Sequence, residues 1–156
     1  MEDLQQLESE IFSKLARLCS RSEECTPDIR KKIREWGGDD ELQEKIISRL
    51  ITEKFLDDER YARAYVRDKF RFNKWGRVKM RYYLKMKGLS ETIIESGMQE
   101  IDQDEYVKLL VRTLKDKAKT IKNKEKFEKM GQLIRFAQGR GFEPELIHRH
   151  LSEIVS

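Results

Sequence analysis

Asp57, Asp58 and Glu59 stand in a row ahead of the aromatic and basic run RYARAYVRDKFRFNKWG. Clustered carboxylates can hold a divalent cation or share acid–base work, but either task needs further carboxylates or a histidine converging on one point. No such partner stands at motif spacing. Helix capping explains the cluster instead. Leu56 precedes Asp57, whose side chain can accept a first-turn N–H, and Asp58 and Glu59 fall near the positive end of the helix dipole. His148 and His150, two residues apart, point in different directions on a helix and make a poor shared metal site. Cys19 and Cys25 are the only cysteines, too few for a disulfide framework or a Cys-rich zinc site, and read as reduced packing residues. With no nucleophile–base pair and no P-loop, the sequence predicts neither an enzyme nor a bound metal or cofactor.

What the chain offers in quantity is positive charge. Its net charge is only +4, yet residues 60–87 hold eleven basic side chains against the single acid Asp68, between acidic flanks. Arg63, Arg67, Lys69, Arg71, Lys74, Arg77, Lys79, Arg81, Lys85 and Lys87 are the candidate contacts to a polyanion or an acidic protein strip. Tyr61, Tyr65, Phe70, Phe72, Trp75, Tyr82 and Tyr83 are interleaved with them, and exposed aromatics can stack on bases or fill a partner's pockets. A second basic stretch, LKDKAKTIKNKEKFEKMG, lacks a firm apolar face and is expected to be a long connection with a solvated surface.

These side chains must be carried by helices. No alternating apolar/polar run with hairpin signals occurs, so the fold is predicted to be all-α. Three segments close a helical pattern on a glycine and restart two residues later, at Gly37, Gly88 and Gly141, with spacings of 51 and 53 residues. Aligned on those glycines, Ile29, Met80 and Leu133 correspond, as do Ile33, Leu84 and Ala137, and then Leu42, Ile93 and Leu146. Each set extends an apolar stripe at helical spacing. Asp39, Ser90 and Glu143 fall at the next N-cap, and Thr26-Pro27 and Glu143-Pro144 read as cap-plus-Pro helix starts. A further helical segment precedes each pair, giving three tandem three-helix repeats over residues 1–52, 53–102 and 103–156, with Gly37, Gly76, Gly88 and Gly141 as structural turns. With 38% hydrophobic and 40% charged residues, the expectation is an elongated, curved, helix-turn-helix-like array, monomeric and thinly cored. On ideal helical geometry Val78, Tyr82 and Met86 form a second apolar stripe opposite Met80 and Leu84, which a neighbour or partner must cover. No apolar run approaches the roughly 20 residues that span a bilayer, and the acidic opening MEDLQQLESE has no basic leader region, so the expected location is cytoplasmic.

FLDDERYARAYVRDK followed by KWGRVKMRYYLKMKGL resembles the RecX family of bacterial RecA regulators, whose pattern runs Leu-Asp-Asp-Glu-Arg-aromatic-Ala, then Lys-Gly-aromatic-Gly, then an Arg-rich helix ending in Lys-Gly-Ile. The likeness extends to LARLCSRSEECTPDIRKKI and LIRFAQGRGF, and so to nearly the whole chain. It implies a non-enzymatic protein that binds the RecA–single-stranded-DNA filament in its groove and inhibits strand exchange, ATPase and co-protease activities, with DNA phosphates as further contacts. Leu56, Asp57, Asp58, Glu59 and Arg60 fall on the family signature. Gly76, Lys79, Arg81, Leu84, Lys85, Lys87 and Gly88 fall on its second-helix pattern. Asn73 stands where some relatives have Gly, and Tyr82, Tyr83 and Met86 are apolar where polar residues are commoner. The competing expectation is a helical protein that binds nucleic acid without sequence preference and without RecA.

Overall fold

In the computed structural model, which describes residues 2–122 and 124–155, the chain forms nine α-helices and no strand among the described residues. They are α1 (Glu2–Arg21), α2 (Thr26–Glu35), α3 (Asp40–Thr52), α4 (Asp58–Asp68), α5 (Arg77–Met86), α6 (Glu91–Met98), α7 (Gln103–Ala118), α8 (Lys126–Gly139) and α9 (Pro144–Leu151). A π-helical turn, Lys69–Asn73, continues α4. The helices group into two compact units, one of Met1–Ala64 with Lys85–Gly97 and one of Tyr65–Leu84 with Met98–Ser156.

In the first unit, α1 and α2 pack on α3. Ile11, Phe12 and Leu15 recur at helical spacing along α1 and meet Ile29 and Ile33 of α2 and Ile46, Ile47 and Leu50 of α3 in a single core. In the second unit α7 packs on α8 and α8 on α9. Tyr106, Leu110 and Leu114, spaced by four, face Leu133, Ala137, Phe142 and Ile147.

The three glycine turns form as the sequence predicts. Gly37, Gly88 and Gly141 have φ of +93°, +92° and +97°, the left-handed region where any side chain would be strained. At the first, Gly37 N–H donates to Arg34 O at 3.1 Å and Gly38 N–H to Ile33 O at 2.9 Å, the paired bonds that close a helix C-terminus. Asp39 then caps α3 by accepting Leu42 N–H at 2.9 Å, and Ser90 accepts Ile93 N–H at 3.3 Å.

Other local expectations need correction. Thr26 is the first helical residue of α2 rather than its cap, and neither Cys25 nor Glu143 makes a side-chain capping bond. After each turn the deepest position lies one residue beyond Leu42, Ile93 and Leu146. It is occupied by Gln43, Ile94 and Ile147, at 3%, 0% and 0% exposure. The cap residue fixes where the helix starts, and one more residue turns a side chain by about 100°. Gln43 is tolerated there because its Nε2 donates to Gly38 O at 3.1 Å. The lysine-rich stretch is mostly helical: Lys115 and Lys117 lie on α7, Lys126 and Lys129 on α8. The Tyr106–Leu114 stripe extends helix formation past the point where composition alone suggests a loop.

Gly76 serves for close approach rather than for a left-handed turn. Its N–H donates to Arg140 O at 2.7 Å, and Val78 N–H donates to Gly141 O at 2.9 Å. A Cβ on Gly76 would collide with the Gly141 carbonyl. The left-handed residue at this corner is Lys74, with φ of +60°.

Candidate functional site

The acidic signature organises helix ends in the first unit. Leu56 is buried in the core. Asp57 accepts Arg60 N–H at 3.1 Å and so caps α4. Asp58 accepts the N–H of Thr26 at 2.7 Å, supplying α2 with the cap that its own preceding residue lacks. Glu59 is in the exposed first turn of α4. Arg60 binds Glu23 at 2.6 Å through Nε, and its Nη2 donates to Lys54 O and Phe55 O at 3.3 and 3.2 Å. The arginine thereby holds the end of the α3–α4 connection, where Lys54 itself has φ of +65°.

Among the described residues, no three His, Cys, Asp or Glu side chains converge as metal ligands would. Burial pushes the Cys25 thiol up to about 12 and the Cys19 thiol to about 11, with Glu24 and Glu23 adding to the Cys19 shift. Both therefore remain protonated at neutral pH, without the nucleophilic character of a thiolate. His148 is exposed, while His150 is half-buried with Nδ1 3.3 Å from Glu153.

The ten candidate cations divide by what they touch. Arg77 is architectural: its backbone N–H donates to Tyr106 Oη at 2.8 Å, its guanidinium binds Glu143 at 3.0 Å and Gln103 at 2.5 Å, and it lies 3.9 Å from the Tyr106 ring centre. The Tyr106 hydroxyl donates to Glu143, and burial first, then this bond, raises the tyrosine's pKa. Lys87 is held by Asp28 at 2.7 Å, a bond that raises the lysine's pKa. Lys85 pairs with Glu91 at 2.9 Å, and Arg63 donates to Ser96 Oγ at 3.0 Å. Arg81 is half-buried.

Arg67, Lys69, Arg71, Lys74 and Lys79 all belong to the second unit. Lys69 and Lys79 sit 5.0 and 4.6 Å from the Trp75 ring centre. Trp75 stacks on Tyr83 at 5.3 Å, and Tyr83 meets Tyr82 edge to face at 5.2 Å. Tyr82 is 57% and Phe72 71% exposed, an arrangement of cations and rings that stacking partners can use. Val78 and Met86 of the second apolar stripe are also exposed. Lys108, Arg112, Lys117 and Arg140 line cavities beside Arg67, Arg71 and Lys74. The sequence reading missed these four, although the one-turn spacing of Lys108 and Arg112 on α7 is a visible signal.

Residues 57–98 match the family model described as RecX, second three-helix domain. That span holds α4, the π turn, α5, α6 and all ten candidate cations. The chain is 32% identical over 129 residues to the regulatory protein RecX of Prosthecochloris aestuarii, covering 83% of each chain. The chain belongs to the RecX family. A second RecX relative, from Clostridium acetobutylicum, is 31% identical over 133 residues; the match covers 83% of this chain but 61% of that protein. The crystal structure of RecX from Lactobacillus salivarius is similar with a TM-score of 0.89 at 19% identity, covering 96% of this chain and 97% of the other. Another RecX crystal structure gives 0.84 at 20% identity, covering 94% and 73%. At that identity the two structures show the RecX fold alone.

Proposed function

We propose that this RecX-family chain is a non-enzymatic negative regulator that binds the RecA–single-stranded-DNA filament in its groove and suppresses strand exchange, ATP hydrolysis and co-protease activity. The observation that carries the reading is the Lys69–Tyr83 segment. Lys69 and Lys79 stand over Trp75 of the Trp75–Tyr83–Tyr82 cluster, and Arg71 and Lys74 line a cavity in the same unit. A surface of this kind suits a partner that presents acidic protein and nucleic-acid phosphate together. Arg77, Lys85 and Lys87 are already paired within the chain, so they contribute less to binding than Lys69, Arg71, Lys74 and Lys79, which have no ion-pair partner among the described residues. The division into repeats at 1–52, 53–102 and 103–156, the monomeric state and a cytoplasmic location belong to the same proposal.

The test is RecA-driven strand exchange and ATP turnover with this protein titrated from substoichiometric levels. Inhibition is expected, and it should be lost when Lys69, Arg71, Lys74 and Lys79 are replaced together by alanine while the helical circular dichroism spectrum is retained. No inhibition at any ratio, with RecA from the same organism, overturns the reading. The aromatic cluster supports a second reading, binding to single-stranded nucleic acid without RecA. In that case, adding RecA and ATP will not tighten binding.

A further inference from the structure

We infer that a groove beside α7 in the second unit is a docking site for an acidic peptide segment carrying an apolar anchor. Two cavities, of about 430 and 370 Å³, share Lys74, Leu109 and Arg112 in their walls. The smaller has a floor of Leu109 and Phe136, and its rim carries Lys74, Arg112, Lys117 and Arg140 against the one acid Asp116. Its volume lies within the range of ligand-binding pockets.

Among the described residues the cations at this rim have no carboxylate partner: Lys74 Nζ donates to Arg71 O at 3.0 Å, and two others lie over a ring. Lys117 and Arg140 lie 4.9 and 4.8 Å from the Phe136 ring centre. Arg112 is exposed and, among the described residues, has no ion-pair partner. Lys74 is held at the shared mouth by a left-handed backbone, φ +60°, that its residue type disfavours. The same residue closes the π turn, its N–H donating to Lys69 O, and this fixes where the side chain leaves the backbone.

The lining favours a peptide over nucleic acid. Glu100, Asp102 and Glu105 stand in the larger cavity with Arg67 and Arg71, so the anionic part of a ligand is directed to the smaller cavity, which has a single acid. Phe136 already carries two cations over its ring, which leaves the aliphatic Leu109 as the apolar wall, a contact for an apolar side chain rather than a stacking platform for a base. A peptide satisfies both halves, with carboxylates at the rim and an apolar side chain on Leu109. The inference does not depend on the filament reading, and its probe is a synthetic peptide.

The experiment uses the full chain and a fluorescein-labelled acidic decapeptide of alternating Asp and Glu with one central Phe. Its Phe-to-Ala version and a labelled single-stranded thymidine 20-mer serve as comparisons. Saturable peptide binding is expected, weakened about tenfold by Arg112→Glu with Lys117→Glu and severalfold by loss of the Phe. Lys74→Gly relieves the backbone conformation while removing the charge, so it should weaken the peptide without lowering the melting temperature. This separates a binding role from a structural one. Absence of saturable peptide binding, or binding indifferent to Arg112→Glu with Lys117→Glu, overturns the proposal. So does loss of 20-mer affinity in that variant with peptide affinity intact, which would assign the groove to nucleic acid.

Discussion

Glu143 shows how a residue can be placed correctly and assigned the wrong task. By position it is the N-cap of α9, and as a cap it is a weak choice beside Ser or Asp. Its carboxylate turns away from the helix and takes the Tyr106 hydroxyl and the Arg77 guanidinium. Replacing Glu143 with Ser, an apparent improvement in capping, leaves a buried phenol and a partly buried arginine without their acceptor. The expected outcome is a loss of about 2 kcal/mol in urea unfolding; unchanged or increased stability would show that the capping role dominates. Arg77 likewise looked like a surface cation because it stands in a basic run. Only the fold reveals that residues 103 and 143 come to meet it.

Helices and their closures were legible because their signals are local. The left-handed glycines, the Asp39 cap and the apolar stripes of α1, α2 and α7 each need a window of a few residues, and all three glycine turns stand where the repeat placed them. What stayed hidden depends on a distant partner, as with Asp58 capping α2 and Gly76 lying against Gly141. Arg140, just after α8, becomes a neighbour of Arg112 and Lys117 only through the packing of α7 on α8. Two glycines test the element-level account with opposite signs. A Cβ on Gly97 of α6 would lie 3.0 Å from the Cβ and O of Ala62 in α4, whereas one on Gly139 of α8 meets nothing within 4 Å. Gly97→Ala should therefore destabilise by about 1–3 kcal/mol through overpacking. Gly139→Ala should stabilise by up to about 1 kcal/mol through helix propensity. Thermal melts of the two variants read the difference directly, and a stabilised Gly97→Ala would contradict the close packing of α6 on α4.

At the scale of the molecule, the compact units do not follow the repeat boundaries proposed at 1–52, 53–102 and 103–156. Tyr65–Leu84 packs with Met98–Ser156, whereas Lys85–Gly97 packs with Met1–Ala64. A fragment of residues 53–102, although it spans the proposed middle repeat, leaves both sets of partners behind. Expressed alone, it should show weak helicity and no cooperative melt, in keeping with the marginal stability of so short a chain; a sharp two-state transition would mean that the middle repeat is self-sufficient. The same dependence on later residues touches the chain as it is made. The first turn of α2 takes its cap from a carboxylate 32 residues further on. On the ribosome that turn is synthesised before its acceptor, so its anchored form has to wait for Asp58.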